Sequence, residues 1–172
     1  KGKKVGVIGT GSTGIQLITA IAPEVEHLTV FQRTAQYNVP LGYRKQSEEE
    51  IAEIKANYDQ IWDTVRNSVT AFGYPDTNIS AMDHSEEERE AKFEEAWKRG
   101  NGFYFLNHVF NDLATNREAN DAAANFIKKK IKEIVKDPET AEKLTPKEPY
   151  ARRPCANDGY YYTFNRDNVS LV

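Results

Sequence analysis

Gly9, Gly11 and Gly14, inside the run Gly6-Val7-Ile8-Gly9-Thr10-Gly11-Ser12-Thr13-Gly14, have the residue type and the spacing to cradle a pyrophosphate. Gly9 permits a tight turn, Gly11 lets main-chain N–H groups approach the phosphates with no Cβ in the way, and Gly14 lets a helix pack closely on a strand. Thr10, Ser12 and Thr13 belong to the same turn and count with the glycines as cofactor-binding candidates. The orphan N–H groups and positive dipole end of the helix that follows would face the ligand's negative charge.

A second chemical signal stands where a dinucleotide site for NAD or FAD carries Asp or Glu to accept from the ribose 2′-OH, about 20 residues downstream. This chain has Gln32-Arg33-Thr34 there. A carboxylate would repel a 2′-phosphate, whereas the Arg33 guanidinium can pair with it in bidentate fashion and the Thr34 hydroxyl can donate alongside. The residues therefore read as a site for NADPH rather than NADH. The plainer alternative is an exposed arginine at a strand end.

The elements that must position these groups follow from the pattern around them. Residues 4 to 9 read as a buried strand, Ile15, Leu17, Ile18, Ile21 and Ala22 as the apolar side of a helix ended by Pro23, and Leu28-Thr29-Val30-Phe31 as the core of a parallel strand over 27 to 32. Residues 168 to 172 have strand character again. The class is α/β, a Rossmann-like NADP-binding parallel sheet that is incomplete, with residues 1–45 and 145–172 forming the nucleotide-binding domain and residues 46–144 a mainly helical insertion. A doubly wound sheet needs more strands than these, so the chain reads as a piece of something longer.

Between Ser47 and about Lys143 the composition shifts to Glu, Lys, Ala and Asn, with apolar residues at helical spacing. Ser47-Glu48-Glu49-Glu50 starts a helix with Ile51, Ile54, Tyr58, Ile61, Trp62 and Val65 on one face, expected to lie in the core. Ser85-Glu86-Glu87-Glu88 starts another that buries Phe93, Ala96 and Trp97 and stops at Gly100. A third runs from about Glu118 through Phe126, Ile127 and Ile131, and Asp137-Pro138 begins a short last one. Gly102 to Phe110 reads as an aromatic connector, either a packed loop or the lining of a substrate passage. His27, His84 and His108 have no metal-ligand spacing and carry no catalytic assignment.

Composition narrows the class without naming it. The 172 residues are 39% hydrophobic and 28% charged, which is enough for a real core. A net charge of −3 and a pI near 5.7 argue against nucleic-acid and anionic-membrane partners. No apolar run approaches the roughly 20 residues of a bilayer span, no signal-peptide core is present, and Cys155 is the single cysteine, read as a small buried residue. A cytoplasmic protein is expected.

Arg152 and Arg153, before Pro154, stand in a segment returning toward the sheet. One guanidinium could join the clamp on a 2′-phosphate and its neighbour could reach the reacting end of the cofactor; a solvated basic pair is the alternative. The longer segments decide between them. Gly6 to Gly14, Leu28-Thr-Val-Phe-Gln-Arg-Thr34, Ile51 to Gln60, Phe93-Glu-Glu-Ala-Trp97, Glu133 to Thr140, and Gly159-Tyr160 through Phe164-Asn165-Arg166 together resemble the NADPH-binding portion of flavin-dependent Baeyer–Villiger monooxygenases of the cyclohexanone monooxygenase type.

That resemblance implies an oxidoreductase in which NADPH reduces FAD and O2 then converts a ketone to an ester or lactone. It implies an NADP domain split by a helical insertion, with Gly9, Gly11 and Gly14 on the pyrophosphate and Arg33, Thr34 and Arg152 on the 2′-phosphate. Gln16 would lie near the phosphates or the nicotinamide, and Arg153 would be the catalytic arginine against the flavin. The glycine motif for FAD is not in this chain, so FAD, ketone and O2 are expected to meet on a remaining FAD-binding portion, and this piece alone to bind NADP(H) without catalysis. The alternatives are a stand-alone NADP-dependent reductase and a non-catalytic interaction module with a vestigial nucleotide site. For the reductase, Tyr160, Tyr161 and Tyr162 lack a suitably spaced lysine.

Overall fold

The computed structural model describes residues 1–150 and 155–172. In chain order the elements are β1 (Lys4–Ile8), α1 (Ser12–Ile21), β2 (His27–Phe31), β3 (Asn38–Val39), α2 (Glu48–Ala56), α3 (Tyr58–Asn67), α4 (Glu86–Arg99), α5 (Gly102–Asn107), α6 (Arg117–Ile134), α7 (Pro138–Leu144), β4 (Cys155–Ala156), α8 (Tyr160–Thr163) and β5 (Val169–Leu171). β1 pairs with β2 in parallel, Lys4 opposite His27 through Ile8 opposite Phe31, and β5 adds in parallel to the other side of β2. The sheet order is thus β1-β2-β5, all parallel, with α1 as the first crossover. The α/β reading with a parallel sheet and a helical interruption is what the structure shows.

Ile15, Ile18 and Ala22 of the first crossover are buried with Val7, Leu28 and Val30 of the sheet. The other face of β1 departs from the sequence reading of a buried strand, for Gly6 is exposed and Ile8 is 89% exposed. Strand side chains alternate between faces, and α1 covers only one of them. β1 is also an edge strand, so its outer ladder groups have no partner within the sheet.

β3 and β4 form a separate parallel pair, Asn38 opposite Cys155 and Val39 opposite Ala156, which ties the segment after β2 to the segment before α8. Strands this short carry no periodic signal, and the sequence does not foretell them. Cys155 is buried, as expected, and burial pushes its thiol up from its ordinary range.

The helices keep the expected starts. Ser47 and Ser85 each form a full capping box, with the Glu50 and Glu88 carboxylates accepting from the cap N–H at 2.8 Å in both cases. Where one helix is expected after Ser47, α2 and α3 break at Asn57. Its apolar face is not core, since Ile51, Ile54 and Tyr58 are exposed and Trp62 is 48% exposed.

The aromatic connector is a helix, α5, because Asn101 at φ 73° turns the chain and its side chain accepts from the N–H groups of Phe103 and Tyr104. Phe105 then stacks on Phe93 at 5.4 Å, and Phe110 meets Phe93 edge-on at 5.4 Å. Such pairs add about 0.5–1.5 kcal/mol each beyond area burial. Ala119, Ala123, Phe126, Ile127 and Ile131 of α6 extend this cluster, and its buried residues are continuous with those under the sheet. No helix among the described residues is long and apolar enough to cross a membrane.

Candidate functional site

The glycine corner is built as its spacing predicts. Gly9 adopts φ 98°, a conformation that favours glycine, and its N–H donates to Phe31 O at 2.9 Å, joining the end of β1 to the end of β2. A Cβ on Gly14 would stand 2.3 Å from Gly9 O, so helix and turn touch backbone to backbone there. A Cβ on Gly11 would meet nothing within 4 Å, which leaves the approach to the turn open. The start of α1 has no side-chain cap and no acidic residue in its first turn, in contrast to α2 and α4. Its orphan N–H groups are left for an anion.

Beside this corner a cleft of about 700 Å³ runs along the open ends of the strands, bounded by Ile8, Gly9 and Gly11 on one side and Arg33, Thr34 and Gln36 on the other. Among the described residues no acidic side chain lines it. Arg33 is exposed, and none of the ion pairs among the described residues involves it. One guanidinium on a wall without acidic side chains suits a 2′-phosphate.

The sequence candidates separate on the structure. Gly9, Thr10, Gly11, Arg33 and Thr34 come together around the cleft. Thr10 is 4% exposed, and its Oγ1 donates to Thr34 O at 3.2 Å, so its hydroxyl braces the site from within. Ser12, Thr13 and Gln16 lie exposed at the start of α1, outside the cleft's lining. Arg152 and Arg153 lie outside the described residues.

Two residues that the sequence reading did not single out also hold the turn after β2. Gln32 Nε2 donates to Lys143 O at 2.7 Å, and the Tyr37 hydroxyl donates to Glu148 O at 2.8 Å. A lone polar residue beside a strand end gives no pattern that would have found them. Tyr160 and Tyr161 are buried, and burial pushes both hydroxyls up from their ordinary range, which unsuits them as proton donors for a stand-alone reductase. No group of three or more potential metal ligands occurs among the described residues.

Fold and corner together define a Rossmann-like α/β protein, and comparison with known proteins narrows the class. No protein-family profile matches the chain. Over 170 residues it is 61% identical to a Baeyer–Villiger monooxygenase of Pseudooceanicola batsensis, covering 99% of this chain and 31% of that protein. It is 57% identical over 171 residues to cyclohexanone 1,2-monooxygenase of Acinetobacter sp., covering 99% of this chain and 32% of the relative. Its fold superposes with a TM-score of 0.97 and 58% identity on cyclohexanone monooxygenase from Rhodococcus sp. Phi1 bound to NADP+, over 99% of this chain and 32% of that one. The chain therefore spans about a third of the length of the relatives it matches, and throughout that span it is similar in sequence and fold to a segment of Baeyer–Villiger monooxygenases, the family its motifs resemble.

Proposed function

We propose that this chain is the NADPH-binding segment of a flavin-dependent Baeyer–Villiger monooxygenase. Residues 1–45 and 145–172 make its incomplete Rossmann-like domain, and residues 46–144 a helical insertion. The observation that carries the reading is the cleft with an uncapped glycine corner at one end, Arg33 at the other and, among the described residues, no acidic side chain along it.

Gly9, Gly11 and Gly14 let the pyrophosphate settle against the start of α1, where the N–H groups of Ser12 and Thr13 donate to it. Arg33 and Thr34 hold the 2′-phosphate, Thr10 braces them, and Gln16 stands one turn along, near the phosphates or the nicotinamide. By resemblance, Arg152 adds a second cation to the 2′-phosphate and Arg153 faces the flavin, where a permanent positive charge stabilises developing negative charge.

FAD, when bound in the whole protein, would take the hydride and activate O2 for insertion beside a ketone carbonyl. Among the described residues there is one glycine-cornered βαβ unit, at β1-α1-β2, and our reading gives it to NADP(H). By resemblance, the flavin, ketone and O2 meet on a remaining FAD-binding portion of the protein. Besides Arg153, what this chain supplies is selection and orientation of the nucleotide.

Thermal unfolding with NADP+, NAD+ and FAD added separately tests the reading. A ligand at 100 times its Kd stabilises by about 2.7 kcal/mol, and about 2–4 °C per kcal/mol for a chain of this size gives a shift of roughly 5–10 °C. NADP+ gives that shift and NAD+ a much smaller one. Equal shifts for both nucleotides, or none for NADP+, would sink the reading.

A further inference from the structure

Asn120 is a polar side chain only 5% exposed, set in the second turn of α6 within the helical block. Its Nδ2 donates to Leu113 O at 2.8 Å and to Tyr150 O at 2.7 Å, and its Oδ1 accepts from Tyr150 N–H at 2.9 Å. Both amide protons and the carbonyl are used, so the amide has one orientation and grips the Tyr150 backbone from both sides. Tyr150 closes a strap that leaves the last turn of α7 at Lys143 and holds Pro146 and Pro149, which limit its freedom.

The strap in turn grips the turn after β2. Gln32 and Tyr37, at the two ends of that turn, donate to the strap carbonyls of Lys143 and Glu148. The ring of Tyr37 also meets Tyr150 edge-on at 5.2 Å. Arg33 and Thr34 lie between these two attachment points. We propose that Asn120 is a positioning residue for nucleotide selection: through the Lys143–Tyr150 strap it fixes the Gln32–Tyr37 turn, and so the aim of Arg33 and Thr34 at the 2′-phosphate. The proposal rests on the nucleotide reading above for its functional part. Its structural part, that Asn120 sets the placement of the turn, stands apart from any ligand.

The test uses the 172-residue chain with Asn120→Asp, which keeps the acceptor for Tyr150 N–H but sets acceptors against two carbonyls. Tyr37→Phe keeps the ring and loses one attachment, and Asn165→Asp serves as a control. Asn165 makes a similar clamp elsewhere, accepting from Lys136 N–H and donating to Ile134 O, both at 2.8 Å. Without nucleotide, the backbone amide resonances of Arg33 and Thr34 shift in the first two variants and stay put in the control. With nucleotide, NADP+ affinity falls about three- to tenfold in the first two while NAD+ affinity holds, a range usual for residues acting through a contact network.

Unmoved Arg33 and Thr34 resonances in Tyr37→Phe would overturn the positioning, whatever the chain binds, and that variant decides if Asn120→Asp does not fold. Loss of thermal stability with an unchanged NADP+ to NAD+ ratio would reduce Asn120 to a structural clamp. Shifted resonances in a chain whose parent shows no preference for NADP+ would instead overturn the nucleotide reading and the selection role together.

Discussion

The hydroxyl of Thr10 donates to the main-chain carbonyl of Thr34 at 3.2 Å, joining the turn after β1 to the turn after β2 across the mouth of the cleft. One turn offers main-chain N–H groups and the other offers Arg33, so the bond fixes the distance between the two proposed phosphate anchors. Thr10→Val keeps the shape and removes the donor. The expected cost is about 1 kcal/mol of stability, seen as a fall of about 2–4 °C in Tm, with a larger loss of affinity for NADP+ than for NAD+ in calorimetric titrations. An unchanged ratio of the two affinities would make the bond structural only.

Arg33 is exposed and outside every ion pair among the described residues, so its removal should leave the fold alone. A hydrogen bond to a charged group contributes about 1.5–3 kcal/mol, which predicts that Arg33→Ala weakens NADPH binding by roughly one to two decades. NADH binding stays nearly constant. An equal loss for both would show that the guanidinium does not read the 2′-phosphate.

Gly11 and Gly14 should fail differently. A Cβ at Gly14 meets the Gly9 carbonyl at 2.3 Å, and backbone cannot swing aside, so Gly14→Ala lowers Tm and nucleotide affinity together. At Gly11 the added methyl enters open space at φ −77°, where alanine is at ease. Gly11→Ala should therefore leave Tm unchanged and still weaken NADP+ binding, because the methyl would occupy the path proposed for the pyrophosphate. Melting curves with and without NADP+ separate the two outcomes.

These contrasts show how far the sequence reaches. The corner was legible because Gly9 and Gly14 each answer a local backbone demand, a positive φ and a close helix-to-turn approach, and the helix starts were legible because Ser47, Ser85 and Asp137 cap within their own first turn. The bare side of β1 at Ile8 was not, since apolar character says that a residue would bury if covered and not whether anything covers it. The clamp of Asn120 on Tyr150 escaped for another reason: it joins residues 30 positions apart, with no periodicity between them.

The same limit governs the apolar helix faces, and it can be measured. Phe93 is 2% exposed and touches the rings of Phe105, Phe110 and Phe126, whereas Trp62 on α3 is 48% exposed. Phe93→Ala leaves a cavity and should cost about 3–5 kcal/mol in urea unfolding. Trp62→Ala should fall within about 0.5 kcal/mol, as for other surface changes. A large loss at Trp62 would mean that its face is covered in solution by something these residues do not include.

Acid should destabilise the fold through carboxylates of the helical block. The Lys130 ammonium beside Glu94 holds its carboxyl below the usual carboxylate range, and the Glu88 carboxyl is held low by the N–H and hydroxyl of Ser85. A carboxyl whose folded value lies below its unfolded one binds fewer protons when folded, so its stabilisation is complete above the ordinary range and is lost as pH falls through the lowered value. Tm should then fall as pH drops below the ordinary carboxylate range. Glu94→Gln should flatten part of that slope while leaving the melt at neutral pH only slightly lower, because Glu94 is partly open to solvent. A slope identical to the parent's would remove the Glu94–Lys130 pair from the account of acid stability.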